Sequence, residues 1–128
     1  MKLIFTIGLM MLSLSSFAFR NEVECDGWTG SKTIRIEVER AFPENAYFTR
    51  AEMTVTEAGG REHHDYNVTR RNFGFNKMEY YTAGFRLEVD YWPDQRPQWG
   101  RNYRGELLSS ALGNQYVRSL NCRFPNAY

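Results

Sequence analysis

The sequence predicts an all-β protein: a small antiparallel up-and-down meander of about eight strands, closed as a barrel or a barrel-like sandwich, after an N-terminal signal peptide. The first observation is the alternation of apolar and polar residues in 34–38, 51–55 and 85–91, which is the period of a half-buried strand. The second is the set of Gly-containing turn signals between such stretches. No stretch beyond the N-terminal segment has a helical period.

The alternation and the turn signals define the strands. They are predicted near 22–25, 32–40, 47–57, 62–70, 76–82, 84–92, 102–111 and 115–124. The predicted inward side chains include Met53, Tyr66, Phe85, Leu87, Tyr91, Tyr103, Leu107, Leu120 and Phe124. Because these side chains are bulky, we expect a filled interior rather than a ligand cavity. Short connections between successive strands favour the meander.

Four turn signals set the pairing of these strands. They are Asp26-Gly27, Gly59-Gly60, Ala83-Gly84 and Gly113-Asn114. As a two-residue hairpin turn, the second signal places Val55 opposite His64, and the fourth places Gly105 opposite Cys122. Ala83-Gly84 is the weakest of these turn signals, because the stretch 78–92 is also compatible with one long strand that contains a glycine bulge. In that case the sheet would have seven strands.

The N-terminal residues have the three parts of a secretory signal peptide. Lys2 is basic, 3–14 is an apolar run, and Ser16 and Ala18 are the small residues of a cleavage site. The run is shorter than the roughly 20 residues of a membrane-spanning helix, so a signal is favoured over a transmembrane anchor. We therefore predict a signal peptide at 1–18 and a single periplasmic or secreted β-barrel domain at 19–128, without a membrane span.

The charges of the sequence are balanced. Lys and Arg number 16 against 15 Asp and Glu, and the formal net charge is +1. A balanced chain gives no electrostatic reason to expect a nucleic-acid partner. Several predicted strands are also shorter than those of outer-membrane barrels, which argues against that class.

The two cysteines of the sequence, Cys25 and Cys122, lie in the first and last predicted strands. In an exported chain an even pair predicts a disulfide bond. This bond would close almost the whole mature chain, which in the loop-entropy account contributes about 4–5 kcal/mol. It would also join the ends of the meander into a barrel.

The sequence contains no recognisable catalytic motif. Ser109, Ser110 and Ser119 lie in strands without a Gly-x-Ser-x-Gly elbow. Glu79 and Glu88 fall opposite each other and could form a carboxylate pair, but we expect them on a solvated face, offset by Arg86 and Lys77. We therefore predict a protein that is not an enzyme and needs no cofactor.

The stretch 63–65 reads His-His-Asp, which raises the question of a metal site. Adjacent strand residues point to opposite faces, so His64 faces the core while His63 and Asp65 face solvent. These two residues could share a metal ion only if another strand supplied a third ligand, and the sequence shows none. We therefore expect no metal site.

The stretch DYWPDQRPQWGRNYR, residues 90–104, is rich in aromatic and Arg side chains. In an up-and-down meander, the three longer connections at 41–46, 70–76 and 92–101 lie at one end. The candidate binding residues at this end are Trp92, Arg96, Trp99, Arg101, Arg70, Arg71, Phe73 and Phe75. Aromatic and Arg side chains are enriched at contact hot spots. The alternative is that the aromatic residues fold inward and cap the barrel.

The stretches VEC at 23–25 and SLNCRF at 119–124, together with the number of strands, resemble the small periplasmic barrels that inhibit c-type lysozymes. The resemblance implies a short exported all-β domain with a disulfide near its ends. The SGA and FW segments of that family are absent from this sequence, so no inhibitory residue is transferred.

Two functions are compatible with the sequence. The first is an exported non-enzymatic β-barrel that binds a protein or an envelope glycan through its long-loop end, inhibition being one form of such binding. The second is a carrier that holds a small ligand in the barrel interior.

Overall fold

The computed structural model describes residues 19–41, 48–74 and 76–125, and the side chains of these residues except those of residues 19, 41, 48 and 73. The predicted signal peptide at 1–18 lies outside the described residues. The strands are β1 (Phe19–Thr29), β2 (Lys32–Ala41), β3 (Phe48–Glu57), β4 (Gly60–Asn67), β5 (Thr69–Phe73), β6 (Lys77–Thr82), β7 (Phe85–Asp90), β8 (Tyr103–Ser109) and β9 (Gln115–Arg123). A short 3₁₀ helix, Ser110–Leu112, precedes β9.

The nine strands form one antiparallel sheet in the order β4-β3-β2-β1-β9-β8-β7-β6-β5. The predicted all-β meander is confirmed, as a nearly closed barrel. The ninth strand arises because the predicted strand 62–70 changes partner at Val68: β4 pairs with β3, whereas β5 pairs with β6. The two edge strands of the sheet are therefore consecutive in the chain, so a single bend in one segment brings the edges together.

The interior of the barrel is filled by alternating side chains from the strands. Of the predicted inward residues, Met53, Phe85, Leu87, Tyr91, Tyr103, Leu107, Leu120 and Phe124 are buried, and Tyr66 packs against them. The remaining buried apolar side chains include Ile34, Ile36 and Val38 from β2 and Tyr80 from β6. The sequence pattern therefore identified the buried face of most strands correctly.

The predicted disulfide bond between Cys25 and Cys122 is present and joins β1 to β9. Gly105 lies beside it, because a Cβ at this position would be 2.4 Å from the Cys122 Sγ atom. The predicted pairing of Gly105 with Cys122 is wrong, however. The five residues 110–114, including the 3₁₀ helix, connect β8 to β9 in place of the predicted two-residue turn at Gly113-Asn114, and together with a bulge between Gly105 and Leu107 they place Leu120 opposite Gly105.

Besides the turn at Gly113-Asn114, two more of the four predicted turns are displaced, and only Ala83-Gly84 is found as predicted. Asp26 and Gly27 lie inside β1, where Gly27 makes room for Leu120, because a Cβ would be 2.5 Å from the Leu120 Cδ2 atom. The second hairpin turns at residues 58–59, which shifts the register by two and places Val55 opposite Glu62. A shift of two residues preserves which face each side chain occupies. In the described part of the chain, no helix has the length and apolar character needed to cross a membrane.

A carboxylate enters the barrel interior at the long-loop end. Glu22 is the extra residue of a bulge in β1, between Asn21 and Val23. Its carboxylate accepts hydrogen bonds from the Tyr80 hydroxyl at 2.7 Å and from the Arg70 Nε atom at 2.8 Å. Arg40 donates a third hydrogen bond to it at 3.3 Å. These contacts connect β1 and β2 with β5 and β6.

We expect replacement of both Cys25 and Cys122 by Ser to lower the free energy of unfolding by about 4–5 kcal/mol. The reason is that the bond constrains the unfolded chain over a sequence separation of 97 residues. Urea unfolding of the double variant and of the oxidised wild type measures this difference. Equal midpoints for the two proteins would contradict the stabilising role of the bond.

We expect Tyr80→Phe to alter how stability depends on pH. Burial, and next the Glu22 carboxylate, raises the pKa of Tyr80 well above 10.0, its ordinary value. Above this ordinary pKa the unfolded chain loses a proton that the folded protein keeps, so stability falls as the pH rises. The wild type should lose up to about 1.4 kcal/mol more per pH unit than Tyr80→Phe above about pH 10. Urea unfolding at several pH values measures this; parallel pH profiles would contradict it.

Candidate binding site at the long-loop end

The alternating strand directions place three connections, including the longest described one, at one end of the barrel, here called the long-loop end. It comprises the connections 42–47, 74–76 and 91–102, of which 42–47 and Phe75 lie outside the described residues. The turns between β1 and β2, β3 and β4, β6 and β7, and β8 and β9 lie at the opposite end. The segment 91–102, here called the Trp loop, is the longest described connection.

Three aromatic side chains close the barrel beneath the Trp loop. Tyr91, Tyr103 and Phe124 are buried and meet edge to face, with ring centroids 5.9–6.5 Å apart. Edge-to-face contacts are the favoured geometry of aromatic pairs. The cap that the barrel requires at this end is therefore made by these residues.

The two tryptophans of the Trp loop remain outside this cap. Trp92 is 72% exposed and Trp99 is 71% exposed. The alternative in which these aromatic residues fold inward is wrong for both of them. Arg96 is also exposed. The Trp loop therefore presents a large apolar surface beside a guanidinium group.

Asp94 holds the Trp loop in place. Its carboxylate accepts hydrogen bonds from the Tyr103 hydroxyl at 2.7 Å and from Arg101 at 2.9 Å. Its backbone amide donates to the Tyr91 carbonyl at 2.8 Å, and its carbonyl accepts from the Asn76 side chain. One half-buried acidic residue thus connects the loop to the aromatic cap and to the turn before β6.

Further hydrogen bonds order the two ends of the Trp loop. The Trp92 amide donates to the Asp90 carboxylate at 3.0 Å, and the Gln98 amide donates to the Tyr103 hydroxyl at 2.8 Å. Burial, and next the hydrogen bond to Asp94, raises the pKa of Tyr103. The hydroxyl therefore stays protonated and can donate its hydrogen bond to Asp94. The Trp92–Pro93 peptide bond is cis. The hydrogen bonds of the Trp92 and Gln98 amides give the loop that carries the exposed tryptophans a defined backbone.

The structure separates the eight predicted binding residues. Trp92, Arg96, Trp99 and Arg101 lie together in the Trp loop. Arg70 contacts Glu22 at 2.8 Å, and Arg71 lies over the Tyr81 ring on the outer face of β5. The Phe73 side chain and all of Phe75 lie outside what the structure describes.

Asp94 is the residue of this site that the sequence analysis missed. The pair Pro93-Asp94 is a recognisable turn signal, and Asp at such positions accepts local hydrogen bonds. Its main partner, Tyr103, comes from the following strand, so the pairing depends on the fold. Arg101 was predicted as a binding residue, and its ion pair with Asp94 gives it a second role in ordering the loop.

The carboxylate pair Glu79 and Glu88 is directly opposed across β6 and β7, as predicted. The expectation of a solvated face is wrong for Glu79, which is only 2% exposed. Arg71 and Arg86 cover its two oxygens, at 2.6 and 2.9 Å. Because guanidinium groups occupy both oxygens of Glu79, this pair is a charge-balanced part of the barrel wall.

No family model, curated protein or solved structure matches the chain. Nothing in the arrangement of residues 19–41, 48–74 and 76–125 indicates catalytic activity. Of the serines considered above, Ser109 accepts a hydrogen bond from the Ala111 amide and Ser110 donates one to the Gly84 carbonyl. Both side chains are therefore engaged with the backbone at the end of the barrel opposite the long-loop end.

We expect Trp99→Ala to change the free energy of unfolding by less than about 1 kcal/mol, because the side chain is mostly exposed. Tyr91→Ala is the matched comparison, because Tyr91 lies in the cap and is 5% exposed. It should cost about 3 kcal/mol or more. Urea unfolding of the two variants measures both values. A Trp99→Ala cost similar to that of Tyr91→Ala would mean that Trp99 belongs to the cap.

Proposed function

We propose that this protein is an exported, non-enzymatic binding protein that docks a protein partner against the Trp loop. The observation that carries the proposal is the exposure of Trp92 and Trp99 on a loop fixed by Asp94. Solvent-exposed tryptophans on an ordered loop are costly to leave uncovered and are typical of contact hot spots.

The physical gain from such docking is large. Covering about 150 Å² of each tryptophan at roughly 25 cal/mol per Å² contributes about 4 kcal/mol for each side chain. The hydrogen bonds of Asp94 and Tyr103 order the loop before binding, which lowers the entropy lost on association. Arg96 adds a planar donor group suited to carboxylates and backbone carbonyls.

Export is supported by the Cys25–Cys122 bond, because disulfides persist in oxidising compartments such as the periplasm or the extracellular space. The signal-like sequence at 1–18 supports the same compartment. An envelope glycan is the other candidate partner in that compartment. We favour a protein partner because the Trp loop combines tryptophan with arginine, the pairing enriched at protein interfaces.

The carrier hypothesis is supported less well. The large interior side chains Tyr80, Phe85 and Met53 are almost completely buried and pack into one cluster with their neighbours. In an eight- or nine-stranded barrel such side chains occupy the volume that a bound ligand would need. The described interior therefore favours a binding role for the outside of the barrel.

The test is a binding screen of the mature protein against c-type lysozymes and peptidoglycan fragments, followed by affinity measurements on variants for any ligand found. Trp99→Ala and Arg96→Ala should each weaken binding by about tenfold, which corresponds to about 1.4 kcal/mol, without changing the melting temperature. Trp28→Ala is the matched control, because Trp28 is 75% exposed and lies near the opposite end of the barrel.

The pattern of losses decides the proposal. Weaker lysozyme binding for the Trp loop variants alone supports a protein partner, and the same pattern with glycan fragments identifies the glycan instead. If Trp28→Ala weakens binding while the Trp loop variants bind as the wild type does, the Trp loop is not the binding site.

A further inference from the structure

The outer face of β2, β3 and β4 carries a row of three carboxylates. Glu37 is opposite Glu52, and Glu52 is opposite Asp65, so the three residues occupy one line across three strands. Like charges directly opposite each other destabilise a sheet unless something compensates them. Arg35 and Arg50 compensate the first two carboxylates of this row, contacting Glu37 on β2 at 2.9 Å and Glu52 on β3 at 3.1 Å.

An imidazole lies at the β4 end of the same row. His63 is two residues from Asp65 on the same strand face, and its Nε2 atom is 2.9 Å from the Asp65 Oδ1 atom. One ligand atom from each of Glu52, His63 and Asp65 lies within 4.8 Å of the other two. A metal shared by His63 and Asp65 needs a third ligand from a neighbouring strand, and Glu52 of β3 is such a residue.

We propose that Glu52, His63 and Asp65 bind a divalent transition-metal ion, with Zn²⁺ as the representative species. Metal–ligand distances of about 2.0–2.2 Å place the donor atoms of a tetrahedral site roughly 3.4 Å apart. Rotation of the side chains can reach this spacing, because His63 and Asp65 are 50% and 57% exposed. One nitrogen and two carboxylate oxygens suit zinc and its neighbours, whereas calcium and magnesium prefer oxygen alone.

The second nitrogen of His63 has a partner that suits this role. Its Nδ1 atom is 3.3 Å from the hydroxyl oxygen of Thr54, which lies directly opposite His63 on β3. When Nε2 binds the metal, Nδ1 carries the proton and donates a hydrogen bond to the Thr54 hydroxyl oxygen. Such an outer hydrogen bond fixes the tautomer and the orientation of a metal-binding histidine. The imidazole and its fixed orientation distinguish this group from an ordinary acidic surface.

The neighbouring charges favour a cation at this position. Glu37 and Glu39 extend the negative surface beyond Glu52, and ligand atoms of these three also lie within 4.8 Å of one another. Arg50 contacts Glu39 at 2.9 Å as well as Glu52. When Glu52 turns towards a metal, Arg50 therefore keeps a carboxylate partner.

The test is calorimetric titration of the oxidised mature protein, without an affinity tag, with ZnCl₂, followed by CoCl₂ to record the ligand-field spectrum. The sequence has only two histidines, so the contribution of each can be separated. We expect one zinc ion per chain. His63→Ala and the nearly isosteric Asp65→Asn should each lower the affinity by about tenfold or more.

His64→Ala is the matched control. His64 is adjacent in sequence but lies on the other face of β4, where its Nε2 atom is 3.4 Å from Glu62. This variant should bind zinc as the wild type does, and circular dichroism should show that all variants keep the fold. Absence of saturable zinc binding by the wild type would overturn the proposal. Equal losses for His64→Ala and His63→Ala, or an unchanged affinity in Asp65→Asn, would also overturn it.

Discussion

The pairing between β1 and β9 is the contact on which the barrel depends. It consists of three residue pairs, and the Cys25–Cys122 bond is the central one. Arg123 adds ion pairs to Glu24 at 3.0 Å and to Asp26 at 3.5 Å. The ladder between β1 and β9 is short, and the Cys25–Cys122 disulfide bond that crosses it helps to hold these first and last strands together. Without the β1–β9 pairing, each of these two strands would expose one edge of unpaired backbone groups.

The opposite seam of the barrel is closed in a different way. There the two sheet edges, β4 and β5, belong to one segment that bends at Val68, whose amide still donates to the Thr49 carbonyl at 3.0 Å. Side-chain contacts connect the two sides of this seam where the backbone is not paired. The Tyr66 and Phe85 rings stack with their centroids 4.6 Å apart. On the other side of the bend, Arg70 reaches Glu22 inside the barrel. The sheet is therefore closed covalently at one seam and by side-chain contacts at the other.

The features that depend on local periodicity, such as the buried face of each strand, could be predicted from the sequence. The features that depend on partners distant in the chain, such as the role of Gly27 and the burial of Glu79, could not. Alternation identified the buried faces, and a register error of two residues at the second hairpin left them unchanged because the side-chain period is also two. Gly27 was misassigned as a turn residue, since a glycine that makes room for Leu120 has the same local signature as a turn glycine. The burial of Glu79 was missed because Arg71, which covers one of its oxygens, comes from β5, whereas only the contribution of Arg86 could be predicted from the register.

The same division explains the candidate binding site. Two prolines and two tryptophans in 92–99 indicated a stiff, aromatic loop, but its exposure depends on which residues cap the barrel. Tyr103 serves both structures, because its ring belongs to the buried cap and its hydroxyl donates to Asp94 in the Trp loop. Packing in the buried cap fixes the position of the Tyr103 ring. The Tyr103 hydroxyl in turn holds the Trp loop through Asp94. The orientation of Trp92 and Trp99 is thus coupled to the packing of the barrel, and through β8 and β9 to the bond that closes it.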